Sequence, residues 1–424
     1  MKIKQAIYSY LPNSIYYCKY YFKILRDLKE KETMDDKQIK EWQLKKINEE
    51  LIYANKYVPY YKKLFYENNI VLPLNKLEDI KKIPYLTKDI IRKNYEALKS
   101  RENISKRVVN TGGSTGTPLR LEKTVFTLTR EQVFLDYYMQ KLKLKSFKCK
   151  KAIIRGSIPL KGISERTGNQ LILSSYLISE KTIRDYIKAL EQFNPTILHV
   201  YPSSIYMISK LIFENNLNIR IPGLKLILSS SEIFNNKQKE IVYNVFKCKI
   251  FDLYGNTENS VHGVNLYPNF GYKFNPFYSY VELDDEQIVT TTFDEKAMPL
   301  IRYKTGDEVE FIDKKNFIIK GRTQDYIYGN NETKYPVVGL IFGQHFSFFK
   351  DIARFQIIQN RIGKIHFVIE SSYKVDNLKE EEIIRTIRNA TAYNLEVEIN
   401  YVDKIERTNR GKYKFLVQNI NNLE

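Results

Sequence analysis

Residues 196–232 read TILHVYPSSIYMISKLIFENNLNIRIPGLKLILSSSE, two apolar runs on either side of an amphipathic stretch. TILHVY (196–201) and LKLILSSSE (224–232) are short, rich in β-branched and aliphatic residues, and bounded by turn residues, as buried strands are. The stretch 204–215 between them has the apolar spacing of a helix. A strand, a helix and a second strand in this order predict a parallel sheet with helices on its faces.

The same alternation continues on both sides of this stretch. It comprises KKAIIRG, a helix over 181–193, a helix over 236–246 and KIFDLYG. The sequence therefore predicts an α/β fold with parallel sheets flanked by helices. Ligands on such sheets bind at the carboxyl ends of the strands, where HVYPSS, LSSSE and DLYGNTE lie.

Other elements extend this fold toward both termini. The apolar spacing over 36–68 predicts two helical pieces interrupted at Pro59, and Thr87 is a candidate N-cap. Beyond Tyr272 come short strands, YSYVEL, EQIVTTTF, EVEFID and NFIIKG, and then a small α+β set. We expect a large N-terminal domain over residues 1–320 with a strand-rich subdomain, and a small C-terminal domain over 321–424.

Composition excludes several classes of protein. The 424 residues include 43% hydrophobic and 13% aromatic residues, enough to bury more than one core and to exclude global disorder. The net charge is +19, but Lys and Arg are dispersed along the chain, which favours a solvated basic surface over nucleic-acid binding. The three cysteines are far apart and form no C-x-x-C pair, so neither a disulfide framework nor a zinc site is predicted.

We expect a cytoplasmic protein, because no long apolar run and no signal-like N-terminus is present. Residues 1–30 mix Tyr, Ile and Lys, a composition that fits a peripheral membrane helix or packing on the protein body. Both interpretations stay open, as does the oligomeric state.

In the glycine-rich stretch RVVNTGGSTGTPLRLEKT (107–124), three glycines and four small hydroxyl residues at 111–117 follow the apolar pair Val108 and Val109. Glycines allow close approach of the backbone to a ligand, and small hydroxyls add donors, so the stretch suits a loop around phosphate oxygens. It lacks the Gly-Lys-Ser/Thr of a P-loop. Because 125–144 is predicted to be helical, we expect the loop to connect a strand to a helix.

Four later stretches supply complementary chemistry: SSSE (229–232), YGNTE (254–258), RYKTGD (302–307) with GRTQD (321–325), and RTNRGKYKF (407–415). Tyr254 offers a ring face to a nucleobase, and Glu258 a carboxylate to Mg²⁺. Asp307 can accept hydrogen bonds from ribose hydroxyls, Arg322 can pair with phosphate or ribose, and Lys412 can neutralise a developing anion.

The order TGGSTGTP, YGNTE, RYKTGD, GRTQD and RGK resembles the adenylate-forming superfamily of acyl-CoA synthetases and luciferase. ANKYVPYYKKLFYENNI, LEDIKKIPYLTKDIIRKNYEAL and HVYPSSIYMISKLI resemble its phenylacetate-CoA ligase branch and the CapK-like capsule-biosynthesis relatives. The resemblance runs from about residue 40 to about residue 418. It implies a large domain with a small hinged lid, ATP and Mg²⁺ as cofactors, and acyl-AMP formation with release of pyrophosphate.

The resemblance also implies roles for individual residues. It assigns the β- and γ-phosphates to the glycine-rich loop: Thr111, Gly112, Gly113, Ser114, Thr115, Gly116 and Thr117. It assigns the rest of the nucleotide to residues of four motifs: Ser230, Ser231, Glu232, Tyr254, Gly255, Asn256, Thr257, Asp307 and Arg322. Glu258 would bind Mg²⁺, and Lys412 would stabilise the adenylation transition state.

The acyl pocket is expected beside HVYPSS. Candidate contacts are Tyr201, Pro202, Ser203, His199 and His262. The acyl acceptor implied by the resemblance is CoA, a carrier-protein thiol, or an amine or hydroxyl on a sugar precursor. Nothing in these residues selects one acid.

The sequence departs from the family pattern at two places. Many relatives have a lysine within or just after the phosphate loop, where this chain has Thr117, Pro118 and Leu119. At the hinge position, which is often Asp or Lys in relatives, this chain has Gln324, followed by Asp325. Some relatives have a Cys/His metal cluster after the YGNTE-like motif, but VHGVNLYPNFGYKF offers only His262, so we expect no zinc. Arg302 is expected to be structural rather than catalytic.

Three further hypotheses remain beside acyl transfer. Nucleotidyl transfer would leave AMP on the product. A catalytically silent nucleotide-binding scaffold would fit the missing lysine and altered hinge. Nucleic-acid binding would require basic and aromatic residues on one face, which the dispersed lysines disfavour.

Overall fold

The protein is described here by a computed structural model. The described residues are 18–110, 119–145, 148–155, 159, 162–175, 177–269, 271–313, 316–322, 326–330, 333–336, 340, 354–371, 377–391, 393–406 and 415–420. The chain divides into two compact units, Met1–Thr305 with Phe311–Ile318, and Gly306–Glu310 with Ile319–Glu424.

Helices dominate the first hundred residues. They are α1 (Cys18–Glu30), α2 (Asp36–Tyr57), α3 (Pro59–Glu67), α4 (Lys88–Lys93) and α5 (Tyr95–Leu98), with 3-10 turns at Lys31–Thr33 and Leu77–Lys82. The predicted break is confirmed: α2 ends at Tyr57 and Pro59 occupies the first turn of α3, where its missing N–H has no helical acceptor to lose. Thr87 caps α4 as predicted, because its side chain accepts a hydrogen bond from the Ile90 amide.

The described part of the N-terminal segment packs on the protein body. Tyr21, Ile24 and Leu28 of α1 are buried in a cluster with Phe134 and Tyr278. Among the described helices, none combines the length and apolarity needed to cross a bilayer.

The glycine-rich stretch is flanked by two paired strands. These are β1 (Lys106–Asn110) and β2 (Arg120–Thr124), which run antiparallel with Asn110 opposite Arg120. Helix α6 (Val125–Lys141) starts only after β2, where the Thr124 side chain caps it. The expectation of a loop between a strand and a helix is therefore wrong: pairing with β1 makes residues 120–124 a strand, and Leu121 of that strand is buried in the core with α2 and α3.

The next segment contains strands and helices in alternation: β3 (Lys151–Ile154), β4 (Ser164–Thr167), β5 (Gln170–Leu173), α7 (Ile183–Phe193), β6 (Ile197–Val200), α8 (Pro202–Glu214), β7 (Leu226–Ser230), α9 (Asn236–Phe246), β8 (Lys249–Gly255), β9 (His262–Tyr267) and β10 (Lys273–Phe274). They form an eight-stranded sheet in the order β10-β9-β8-β7-β6-β3-β5-β4. Strands β8, β7, β6, β3 and β5 are parallel, while β9, β10 and β4 are antiparallel to their neighbours. The predicted α/β fold is confirmed.

A four-stranded sheet follows in the order β11-β12-β13-β14. Its strands are β11 (Ser279–Asp284), β12 (Gln287–Thr292), β13 (Tyr303–Phe311) and β14 (Phe317–Arg322). All four overlap the strands predicted from the sequence, but β13 begins at Tyr303, whereas the predicted EVEFID begins at residue 308. The division between the two compact units passes through β13 and β14.

The last part of the chain is an α+β unit, as expected. It contains a two-stranded sheet, β15 (Tyr326–Tyr328) with β16 (Lys334–Pro336), then β17 (Phe355–Arg361), β18 (Lys364–Glu370), α10 (Asn377–Ala390), β19 (Glu396–Val402) and β20 (Leu416–Gln418). The last four strands form a sheet in the order β19-β18-β17-β20. Ile357, Phe367 and Ile387 belong to its own apolar core.

Candidate active site

The predicted ligand-binding edge of the large sheet is formed by the carboxyl ends of three adjacent parallel strands. Strand β6 leads into HVYPSS, β7 into SSSE and β8 into YGNTE. Since neighbouring parallel strands end at the same edge, the three motifs lie side by side. Most of the described candidate residues therefore lie at one edge of the large sheet.

The residues after β7 turn sharply toward α8. Ser231 has a left-handed backbone with φ of 77° and is exposed, and its hydroxyl lies 3.3 Å from that of Ser230. The Glu232 carboxylate accepts a hydrogen bond of 2.9 Å from the Ser203 amide in the first turn of α8. A carboxylate at a helix N-terminus is favoured by the helix dipole, so Glu232 joins the two motifs.

Arg155, which directly follows β3, lies in this cluster although no sequence motif identified it. One guanidinium nitrogen lies 2.7 Å from Nε2 of His199, and another donates to Ser231 Oγ at 3.1 Å. The guanidinium also lies 4.8 Å from the centre of the Tyr201 ring, a cation–π distance. Arg155 thus connects the ends of β3, β6 and β7.

His199 is neutral in this arrangement. Desolvation, followed by the charges of Arg155 and Lys151, lowers its pKa from 6.5 to about 3. An arginine N–H can only donate, so Nε2 of His199 must accept and the ring proton lies on Nδ1. Tyr201 is buried, while Pro202 and Ser203 begin α8. Their contact with an acyl group stays a prediction.

His262 occupies a different environment. Its ring is buried and stacks on Tyr138, with centroids 5.7 Å apart and an interplanar angle of 7°. Phe134 and Tyr278 contact it as well, and within the described residues neither ring nitrogen has a hydrogen-bond partner. Burial lowers its pKa, so the ring is neutral. Its contact with substrate stays a prediction.

Tyr254, the candidate base-stacking residue, is the next-to-last residue of β8 and is half-buried. Its ring meets Tyr272 and Phe317 edge-on, at 6.4 Å and 6.3 Å. A Cβ at Gly263 on β9 would lie 3.2 Å from the rings of both Tyr254 and Phe317. A larger residue at position 263 would therefore require the Tyr254 or Phe317 ring to shift slightly.

A buried charged cluster underlies this edge of the sheet. Asp252 on β8 accepts a hydrogen bond of 2.7 Å from Ser229 and forms an ion pair of 2.9 Å with Lys239 of α9. The Tyr272 hydroxyl donates to the same carboxylate, and Lys239 also donates to Asn265. The pKa of Tyr272 is raised well above its usual value, first by burial and then by Asp252. An Asp within the apolar run KIFDLYG is the signal that could have indicated a buried partner.

The YGNTE motif ends in a compact turn over Asn256–Ser260. The Asn256 side chain accepts from the Ser260 amide at 2.9 Å and donates to the Ser260 hydroxyl at 2.8 Å. Asn259 has a left-handed backbone and donates to Glu131 of α6. Gly255 and Thr257 are exposed, whereas Glu258 is buried. This stretch is called the Glu258 turn below.

The Glu258 carboxylate is held by Tyr303 of β13, whose hydroxyl donates to Oε1 at 2.8 Å. The Glu258 carbonyl accepts from Lys123 of β2, which also pairs with Glu295 at 3.2 Å. Within the described part of the chain, no three His, Cys, Asp or Glu side chains converge to hold a metal unaided. Mg²⁺ is usually bound by one or two carboxylates together with substrate phosphates, and a single oriented carboxylate fits that mode.

Arg302 is structural, as predicted. Its guanidinium pairs with Glu282 at 3.2 Å and donates to the carbonyls of Lys81 and Ile83 at 2.9 Å and 2.6 Å. Asp307 is one of the buried residues that occupy alternate positions of β13. Arg322 is the last residue of β14.

Several predicted site residues lie outside the described residues. They are Thr111, Gly112, Gly113, Ser114, Thr115, Gly116, Thr117 and Lys412, together with Gln324 and Asp325 of the expected hinge. Their proposed roles stay predictions. What the structure adds is the pairing of β1 with β2, which brings the two ends of the glycine-rich loop together.

Comparison with known proteins gives consistent results. Residues 333–419 match the family model described as the CapK C-terminal domain. The chain is 25% identical to Protein CapK of Staphylococcus aureus over 432 residues, covering 95% of this chain and 93% of that protein.

Solved structures with a similar fold include 2-hydroxyisobutyryl-CoA ligase in the postadenylation state in complex with R3-HIB-AMP. Its TM-score is 0.67 at 17% identity, covering 92% of this chain and 91% of that one. The same ligase in complex with 2-HIB-AMP and CoA in the thioesterification state has a TM-score of 0.52 at 17% identity, covering 92% of this chain and 91% of that one.

These findings confirm the resemblance drawn from the motifs. The chain has the fold of the adenylate-forming CoA ligases, its residues 333–419 match the CapK C-terminal domain, and it is similar to CapK over most of its length.

Proposed function

We propose that this protein is an ATP-dependent ligase that converts a carboxylic acid to an acyl-AMP with release of pyrophosphate, and then transfers the acyl group to an acceptor with release of AMP. The observation that carries the proposal is the meeting of SSSE and YGNTE at one edge of the large sheet, with the Glu258 carboxylate fixed beside them. The CapK-like resemblance supports a role in surface-polysaccharide biosynthesis in the cytoplasm.

In the proposed first step, a carboxylate oxygen attacks the α-phosphorus and the bond to pyrophosphate breaks. Little covalent chemistry is required of the protein, so it contributes positioning and charge. Mg²⁺ bound through Glu258 would neutralise phosphate charge. Tyr254 and the serines after β7 would hold the base, and Asp307 the ribose.

Lys412 would place a positive charge on the transition state as the small unit closes, a movement that also excludes water from the acyl-AMP. Loss of one such donor costs about 10²–10³ in turnover in other enzymes, so Lys412→Ala should lower kcat by a similar factor with little change in the KM for ATP. The acyl side would comprise His199, Tyr201, Pro202 and Ser203.

The direct test is pyrophosphate release with MgATP over a panel of aromatic, short-chain, hydroxy and amino acids. We expect release with at least one acid and strong loss in Lys412→Ala and Glu258→Gln. If an active acid is turned over equally by the wild type and both variants, the residue assignments are wrong. Circular dichroism of each variant controls for misfolding.

The acceptor requires a separate measurement. Mass spectrometry of the product formed with CoA, a carrier-protein thiol or an amino or hydroxy sugar identifies acyl transfer by its gain of one acyl group. Retention of AMP on the product would instead establish nucleotidyl transfer. ATP binding without pyrophosphate release from any acid would establish a silent nucleotide-binding subunit.

A further inference from the structure

We propose that Tyr303 and Lys123 are positioning residues that fix the Glu258 turn for binding of the metal–ATP complex. The inference rests on the proposed function, because it concerns the residue assigned there to Mg²⁺. It names two side chains that the family motifs did not indicate for this role and assigns each a specific atom of Glu258.

The first contact orients the carboxylate. The Tyr303 hydroxyl donates to one carboxylate oxygen of Glu258 at 2.8 Å, and the Tyr303 side chain is fully buried. A hydrogen bond to one oxygen restricts rotation of the carboxylate and leaves its second oxygen oriented. Partners of this kind behind a metal ligand typically account for 10- to 100-fold in metal affinity or activity.

The second contact fixes the backbone. The Lys123 ammonium donates to the Glu258 carbonyl and pairs with Glu295 at 3.2 Å, and both charged side chains have no exposed surface. A buried lysine paired with one carboxylate leaves no net charge in the interior. Lys123 therefore does not replace the lysine missing from the glycine-rich loop: its ammonium is committed to the Glu258 turn.

The position of Lys123 gives this contact a further consequence. Lys123 lies on β2, which directly follows the glycine-rich loop and pairs with β1 on the other side of that loop. The Glu258 carbonyl is therefore tied to the strand that carries one end of the predicted phosphate loop. Lys123 and Glu258 are 135 residues apart in sequence, so this tie exists only in the folded chain.

Two further contacts hold the same turn. Asn256 closes it through its hydrogen bonds to Ser260. Glu131 of α6 accepts from Asn259 at 3.4 Å and from the hydroxyl of Tyr278. The turn is thus fixed from β2, α6 and β13, which is the rigidity expected of a residue that positions a metal ion.

The test measures how strongly Mg²⁺ strengthens nucleotide binding, using fluorescent N-methylanthraniloyl-ATP with excess EDTA or with Mg²⁺. The ratio of the two dissociation constants isolates the metal-dependent part of binding and needs no acid substrate. We expect Tyr303→Phe to reduce this ratio about tenfold. Tyr186→Phe is the matched control, because Tyr186 is equally buried and its hydroxyl donates to the Ser174 carbonyl, in a core cluster that contains neither Glu258 nor Tyr303.

A second variant tests Lys123. Lys123→Met combined with Glu295→Gln removes the ion pair without leaving a buried charge, and the glutamine can still accept from the Ala297 amide. We expect this double variant to reduce the ratio of the two dissociation constants about as much as Tyr303→Phe does. Cooperative thermal unfolding of the double variant is the control that it is folded.

The outcomes separate this inference from the proposed function. If Glu258→Gln abolishes the Mg²⁺ effect but Tyr303→Phe and the Lys123 double variant keep the wild-type ratio, the positioning roles are wrong and the metal assignment stands. If Mg²⁺ has no effect on the wild type, or the same effect on Glu258→Gln, the assignment of Mg²⁺ to Glu258 is wrong and this inference falls with it.

Discussion

The contact between Arg155 and His199 determines the charge at the acyl side of the proposed site. Both side chains can be cationic, but an arginine that donates to Nε2 requires a neutral imidazole. The pair therefore carries one positive charge, located on the guanidinium. A histidine in this position orients the arginine and does not act as an acid near neutral pH.

This assignment predicts the titration behaviour of His199. In ¹H–¹⁵N spectra of the histidine rings, we expect His199 to remain the neutral Nδ1–H tautomer from pH 5 to pH 8, because its pKa is lowered to about 3. Arg155→Met removes the second-largest cause of that shift and should raise the pKa. Titration of His199 near pH 6.5 in the wild type would contradict the arrangement, and Arg155→Lys serves as the charge-preserving control.

Glu50 is a second residue whose ionisation the fold controls. It lies in α2, is 1% exposed, and accepts from the Glu295 amide at 3.2 Å. Burial raises its pKa from 4.5 to about 8, against a smaller opposing effect of Lys296. The folded chain therefore holds a proton at neutral pH that the unfolded chain has released.

The expected consequence is a stability that falls as pH rises. The full stability is present below about pH 4.5 and declines between pH 4.5 and pH 8, by up to about 1.4 kcal/mol per pH unit. Glu50→Gln keeps the acceptor atom and should flatten this part of the profile and stabilise the protein above pH 7. Urea unfolding at several pH values measures the effect, and an unchanged slope in the variant would contradict it.

At the scale of elements, helix α9 is attached to the large sheet by a buried ion pair. The helix begins with a capping box between Asn235 and Gln238, and Lys239 follows in the next position. Its ammonium reaches Asp252 on β8, which also accepts from Ser229 on β7. One helix thereby fixes the two strands that lead into SSSE and YGNTE.

Removing one charge of the Lys239–Asp252 ion pair should lower the free energy of unfolding more than removing both charges. Lys239→Met leaves Asp252 buried without its counter-ion, and breaking such a pair costs about 3–5 kcal/mol. Lys239→Met with Asp252→Asn removes both charges and should recover much of the free energy of unfolding. Chemical denaturation of the two variants is the measurement. A double variant less stable than the single one would show that the ion pair is not the source of the loss.

At the scale of the whole molecule, local patterns predicted the elements well because they depend on neighbouring residues. Most strands and helices over 150–255 follow from apolar periodicity, but the short strands β4 and β5 are not among the predicted elements. Strand β2 is a further exception, because its residues 120–124 belong to the stretch interpreted as the glycine-rich loop. Its strand character depends on pairing with β1, and no local pattern contains that information.

The partners of the site residues were not predictable in the same way. Arg155 lies 44 residues from His199, and Tyr303 lies 45 residues from Glu258. Such contacts arise from the order of strands in the sheets, and a single sequence holds no signal for them beyond the presence of a charged or hydroxyl-bearing residue. The motifs therefore indicated the chemistry of the site but not the side chains that hold it in place.

The net charge of +19 is a property of the whole chain, and its distribution decides whether nucleic acid is a partner. Many basic residues lie beside acidic ones one helical turn away, as in Lys37 with Glu41, Lys63 with Glu67 and Lys99 with Glu96. Such pairs reduce the local positive potential that a phosphate backbone requires.

We therefore expect only weak, non-specific DNA binding that is lost at physiological salt. Filter binding of a random-sequence duplex at about 50 mM and 200 mM salt should show a steep loss, with a dissociation constant no tighter than about 10⁻⁶ M at about 150 mM, the range of non-specific electrostatic binding. Poly-lysine of similar net charge provides a reference for purely electrostatic attraction. Tighter binding that persists at 200 mM would require basic residues concentrated on one face and would contradict the dispersed arrangement.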